Sequence, residues 1–144
     1  MEKVLVTGGS GFIALRITLK LIMQQLNVFD EPLHECCSDP LTGFFRDGFC
    51  NTNKHDHGLH IVCCLINNNF LDFSLSMGND LSTPRPEFNF PGLKEGDSWC
   101  VCALRWQEAY ENNCAPKIFL KRTNKKVTKL IDMSILKQFA IDID

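Results

Sequence analysis

Apolar positions fall into short blocks along this chain, separated by stretches dominated by Pro, Gly, Asp and Asn. Residues 3–7 (KVLVT) have the texture of a buried strand, and residues 12–25 place Ile13, Ile17, Leu21 and Met23 at spacings that suit one helix. Periodicity is lost over residues 30–58, where Pro, Gly, Asp, Asn and Cys predict irregular loops and short extended pieces. The densest apolar block, residues 59–66 (LHIVCCLI), predicts a strand. Residues 69–77 follow as a short helix stopped at Gly78-Asn79.

A second irregular stretch, GNDLSTPRPEFNFPGLKEGD, carries Pro84, Pro86 and Pro91, which limit regular structure. Beyond it, SWCVCAL reads as extended and RWQEAYENN as helical. KIFLKRT and KVTKLI resemble a final strand pair, and DMSILKQFA a short closing helix. Short strands and helices separated by long loops predict an α+β domain, here preceded by a strand–helix extension.

Composition narrows the functional classes. At 144 residues the chain is long enough for one domain with a continuous core, and its 44% hydrophobic and 22% charged content is ordinary for a globular protein. A net charge of -2 argues against nucleic-acid or anionic-membrane partners, both of which demand concentrated Lys and Arg. The local basic group Lys117, Lys121, Arg122, Lys125, Lys126 and Lys129 reads as a solvated rim. No apolar run reaches the ~18 residues of a membrane span. Without a cleavable signal pattern, the eight cysteines are expected as thiols in a reducing compartment, which makes the expected location cytoplasmic.

The glycines Gly8, Gly9 and Gly11 would let the backbone turn tightly towards a pyrophosphate at a helix N-terminus, with Asp30 about twenty residues on as a ribose acid. VLVTGGSGFIA resembles the N-terminus of the extended short-chain dehydrogenase and epimerase family at Thr7, Gly8, Gly11 and the helix start. The family's third glycine is Ala14 here. Its catalytic Tyr followed four residues later by Lys is also missing, because the only tyrosine, Tyr110, has Cys114 at that distance. No repeating βαβ rhythm follows to build a dinucleotide crevice. Residues 1–26 are therefore expected to be a Rossmann-like fragment or extension, and the pattern argues against NAD(P) binding.

A longer resemblance begins at Asn27. NVFDEPLHECCSDPLTGFFRDGFCN, DHGLHIVC, GNDLSTPRPEF, FPGLKEGDSWCVCALRWQEA and APKIFL, in order, resemble the family called domain of unknown function 2237. The resemblance covers residues 27 to about 142 and implies an α+β domain over residues 27–144 that folds without residues 1–26. It implies no activity, and it makes Asp30 part of the domain's own beginning.

Cys36, Cys50, His60, Cys63, Cys100 and Cys102 fall on that pattern and are the candidates for thiol or metal chemistry, with zinc the natural ion for thiolate and imidazole. No Cys-x-x-Cys occurs to strengthen the metal reading. In an extended WCVC segment Cys100 and Cys102 share a face, whereas His60 and Cys63 point to opposite faces of a regular strand and could share a metal only where it is broken. Packing as small apolar residues is the competing role for such cysteines. Within HDHGLH, His55 and His57 read as exposed loop residues, and His60 as a candidate acid, base or ligand.

The loops supply binding groups of another kind. Arg46 and Asp47, Asp80 and Arg85, and Arg105 and Trp106 are the candidates, with the three guanidiniums suited to one carboxylate or phosphate and the tryptophan to a pocket wall. Three functions remain open: a small-molecule or metal pocket, a noncatalytic interaction module, and a nucleotide oxidoreductase.

Overall fold

The computed structural model describes residues 24–143. The glycine motif with Gly8, Gly9 and Gly11 lies outside the described residues. These fold as an α+β domain with a three-stranded antiparallel sheet, three short α-helices and long loops.

Strand β1, His60–Leu65, has four consecutive buried residues at its centre, which is why it reads as a continuous apolar run. It occupies the middle of the sheet, between β2 (Ser98–Cys102) and β3 (Lys117–Ile118). In the β1–β2 ladder Cys63 faces Cys100 and His60 faces Cys102, with a bulge-type register shift between His60 and Val62. Helix α1, Asn68–Ser76, is capped by Asn67, whose side chain accepts from the Phe70 N–H at 2.8 Å. Its buried residues Phe70, Leu71 and Ser74 share one face.

Helix α2, Ala103–Glu111, continues directly from β2 and buries Ala103, Trp106 and Ala109 at three-residue intervals. Helix α3, Met133–Gln138, is capped by Asp132. The main core joins Trp106, Phe70, Ile61, Ile66, Ile118, Leu120, Val127 and Leu136.

The strand pair expected from KIFLKRT and KVTKLI reduces to two paired residues. Leu120–Arg122 and Lys125–Lys129 are instead 3-10 turns. The Asp142 carboxylate accepts the Leu120 and Lys121 N–H groups at 2.8 Å each, and the Asn124 side chain accepts from Lys126 at 3.0 Å. These side chains take the donors that a strand ladder would have used.

The expected free-thiol state is also corrected. Cys36 is bonded to Cys63 and Cys50 to Cys100, which fastens the irregular 30–58 segment to the two central strands. The four form a small core of their own beside Phe119. Cys37, Cys64, Cys102 and Cys114 are free, and burial pushes the Cys64 thiol well above its ordinary range.

Gln25 exchanges two side-chain hydrogen bonds with the Thr52 backbone, at 2.7 and 3.0 Å, and its Oε1 accepts from Asn124. Asp30 pairs with Lys125 on the surface. Among the described residues no helix is long and apolar enough to cross a membrane.

Candidate functional site

Loop residues 43–46, the stretch from Asn79 to Phe90, strand β2 and the start of helix α2 surround a cavity of about 680 Å3. Its size is that of a small-molecule site. Arg46, Arg85 and Arg105 all line it, and Phe44, Phe88, Phe90 and Trp99 supply aromatic walls. Among the described residues no Asp or Glu lines it.

Each guanidinium is held differently. Arg46 sits in the left-handed region at φ 54, and its Nη1 donates to the Gly43 carbonyl at 2.6 Å. Its Cζ lies 5.1 Å from the Trp99 ring centroid, a cation–π arrangement. Arg85 begins a six-residue turn closed by two backbone hydrogen bonds with Phe90, 2.7 and 3.1 Å long. The chain can close there because Gly92, at φ 79, approaches Ser82; a Cβ on Gly92 would lie 2.4 Å from the Ser82 carbonyl oxygen. Arg105 pairs with Glu108 at 3.2 Å and reaches the Met77 carbonyl. Among the described residues Arg46 and Arg85 have no carboxylate at ion-pair distance.

His60 lines the same cavity under tight local control. Its Nδ1 lies 2.6 Å from Oδ1 of Asp56, whose side chain is 0% exposed. The other oxygen of Asp56 accepts from the His60 N–H at 3.0 Å and from the Thr52 hydroxyl at 2.9 Å. A carboxylate with all these bonds selects the tautomer with the proton on Nδ1 and leaves Nε2 as the nitrogen available to the cavity. Phe44 stacks on the imidazole at 6.4 Å, and Gly58 packs so closely that a Cβ there would lie 2.7 Å from the ring.

Residues 26–140 match the model of a family described as an uncharacterized protein conserved in bacteria (DUF2237). The chain belongs to that family. Among curated proteins no sequence match is found.

The cysteine-rich loop and the cavity meet along strand β2. Cys100 and Cys102 both line the cavity, the first within its disulfide and the second as a half-buried free thiol. The sulfurs of Cys36, Cys50 and Cys100 lie within 4.8 Å of one another, a buried cluster that could hold a metal ion only with its disulfides reduced to thiols. His60 is not part of that cluster.

Several residues named from sequence lie elsewhere. Trp106 is fully buried in the main core, where its Nε1 donates to the Pro116 carbonyl, so Trp99 is the cavity's tryptophan. Asp47 holds its own loop by accepting from Phe49 and Asn51. Asp80 caps the turn leading to Arg85 by accepting from the Ser82 and Thr83 N–H groups. Hydrogen bonds from the Thr83 side chain and from the Ser82 and Thr83 backbones, aided by the charge of Arg85, hold the Asp80 carboxyl below its ordinary range. Sequence reasoning missed Asp56 and Gly58 as partners of His60. Their available signal was the four-residue Asp-to-His spacing, interrupted by a glycine.

Proposed function

We propose that this domain binds a small organic anion, a carboxylate or phosphate carried on an apolar or aromatic body. The observation that carries the reading is the convergence of Arg46, Arg85 and Arg105 on one aromatic-walled cavity that, among the described residues, no acidic residue lines. Guanidiniums match the planar, multi-oxygen geometry of such anions, and aromatic walls favour a flat apolar remainder. His60, oriented by a buried carboxylate, supplies a group that can donate or accept a proton at the bound molecule. Phenyl phosphate, with inorganic phosphate as the smaller probe, tests this by calorimetry and thermal shift. Saturable binding that weakens about tenfold or more in Arg85→Ala supports the reading; equal behaviour of the two proteins overturns it.

A second reading rests on the sulfur cluster. In a reducing compartment such as the cytoplasm, opening both disulfides would release four thiols, and the 4.8 Å grouping of three of the sulfurs approaches the spacing of a tetrahedral thiolate site with zinc–sulfur bonds of about 2.3 Å. Metal analysis of protein purified with and without a dithiol reductant tests it. One zinc per chain in the reduced protein alone is the supporting result.

A further inference from the structure

We infer that Cys102 is the nucleophile of an acyl-transfer site in this cavity, with His60 as its base and Asp56 as the residue that positions the base. The inference rests on the anion-site reading above and adds to it a bond-breaking step. Cys102 is the cross-strand partner of His60 in the β1–β2 ladder, and both line the cavity. Directly opposed residues in a regular antiparallel ladder have Cβ atoms about 4.5–5.5 Å apart, within the combined reach of a thiol and an imidazole, and the register shift between His60 and Val62 lies beside this pair. No hydrogen bond joins the two here, and catalytic hydrogen bonds of this kind commonly tighten only once substrate is bound.

The remaining features agree on direction. Because Asp56 holds Nδ1, the free Nε2 is the atom that can take a thiol proton. The other free cysteines are placed differently: Cys64 is fully buried, and neither Cys37 nor Cys114 lines the cavity. The arginines provide an anchor for one anionic end of a substrate while its other end meets the thiol. The substrate class that satisfies both demands is an ester or thioester of a short dicarboxylic acid.

In the reaction the Cys102 sulfur attacks the carbonyl carbon, its proton passes to Nε2 of His60, and a thioester forms. The bond from carbon to the leaving oxygen or sulfur breaks, and the leaving group takes the proton from His60. Water, giving a proton to His60, then hydrolyses the thioester, releases the dicarboxylic acid and restores the thiol. The sequence is redox-neutral.

The mono-4-nitrophenyl ester of glutaric acid is the probe, used on the full chain without added reductant. The expected result is a burst approaching one equivalent of 4-nitrophenolate, with a glutaryl adduct mapped to Cys102 by mass spectrometry. Cys102→Ser should abolish the burst, and His60→Gln should slow acylation on the order of 100-fold. Asp56→Asn is the positioning test, because an amide would donate to Nδ1 and force the proton onto Nε2. Acylation should fall while phenyl phosphate binding stays at the parent level, a split that a merely structural loss would not produce. The charged or titratable groups facing Cys102 across the cavity are His60, Arg46, Arg85 and Arg105. Only the imidazole changes tautomer in this variant, so an equal loss of acylation and of phenyl phosphate binding would overturn the role of Asp56. Adducts on Cys37 or Cys114 in place of Cys102, or turnover surviving in Cys102→Ser, would overturn the nucleophile. Phenyl phosphate binding without acylation overturns this inference alone, whereas absence of both overturns the anion site as well.

Discussion

Asp56 is fully buried, yet its carboxylate meets the half-exposed ring of His60 at 2.6 Å. One end of this pair is locked in the domain and the other opens on the cavity. Removing the locked end orphans the His60 N–H and leaves the Thr52 hydroxyl only the Asn53 carbonyl at 3.5 Å. Asp56→Ala is therefore expected to cost about 2–3 kcal/mol, whereas Thr52→Val, which loses one hydroxyl bond, should cost about 1 kcal/mol. Urea unfolding monitored by tryptophan fluorescence checks the difference.

Gly58→Ala should separate site from fold. Gly58 lacks the positive φ that would strain an alanine backbone, so the penalty comes from its added Cβ at 2.7 Å from the imidazole. The ring must shift from Asp56 or from the cavity. Stability should change little compared with Asp56→Ala, while anion binding and any chemistry at His60 decline by at least tenfold. The position of the His60 Nδ1 proton resonance reports the displacement directly.

The central strands were legible because His60–Leu65 and Ser98–Cys102 are apolar runs of strand length, the first helix because its Asn67 cap is local, and the second because its buried residues recur at helical spacing. The segment after β3 was not. KIFLKRT and KVTKLI carry the apolar and β-branched residues of strands, but the carboxylate that captures the Leu120 and Lys121 donors comes from Asp142, about twenty residues later. Arg46, Arg85 and Arg105 could be named from their residue type and loop context, and the structure places all three on one cavity. Trp106 could not be told from Trp99 by chemistry; only the helical phase that buries Ala103, Trp106 and Ala109 separates them. Cysteine pairing was illegible because eight cysteines allow many connectivities.

Gln25 provides a test of where the domain begins. Its side chain bonds both polar groups of Thr52 and also Asn124, tying residues 25, 52 and 124 together. Gln25→Ala should cost about 1–3 kcal/mol by leaving backbone groups unsatisfied. A chain starting at residue 27 should match that loss, and one starting at residue 24 should not. Denaturant midpoints of the three proteins decide it.

The Asp80 turn should respond to acid. Hydrogen bonds from Thr83 and Ser82 favour the ionised carboxyl in the folded chain and lower its proton affinity relative to the unfolded chain. Its contribution is therefore complete above the unfolded value of about 3.9 and disappears as pH falls through the lower folded value. The Ser82 and Thr83 amide resonances should shift with a common midpoint below pH 4. Asp80→Asn should remove that transition and loosen the approach to Arg85.

The two disulfides should contribute to the cavity as well as to stability. Their sequence separations of 27 and 50 residues correspond, by loop entropy, to about 3.5 and 4 kcal/mol for Cys36–Cys63 and Cys50–Cys100 respectively. Beyond that difference, the second bond has a particular place: Cys100 lines the cavity, and its N–H donates to Thr42 at 2.9 Å, next to the Gly43–Phe44 wall. Cys50→Ser should therefore weaken phenyl phosphate binding at temperatures where the protein remains folded. Cys36→Ser should reduce stability to a similar extent with less effect on binding, since neither Cys36 nor Cys63 reaches the cavity. Calorimetry on both variants, alongside denaturant unfolding, tests whether the cavity depends on the particular bond at its wall or only on having a stable domain.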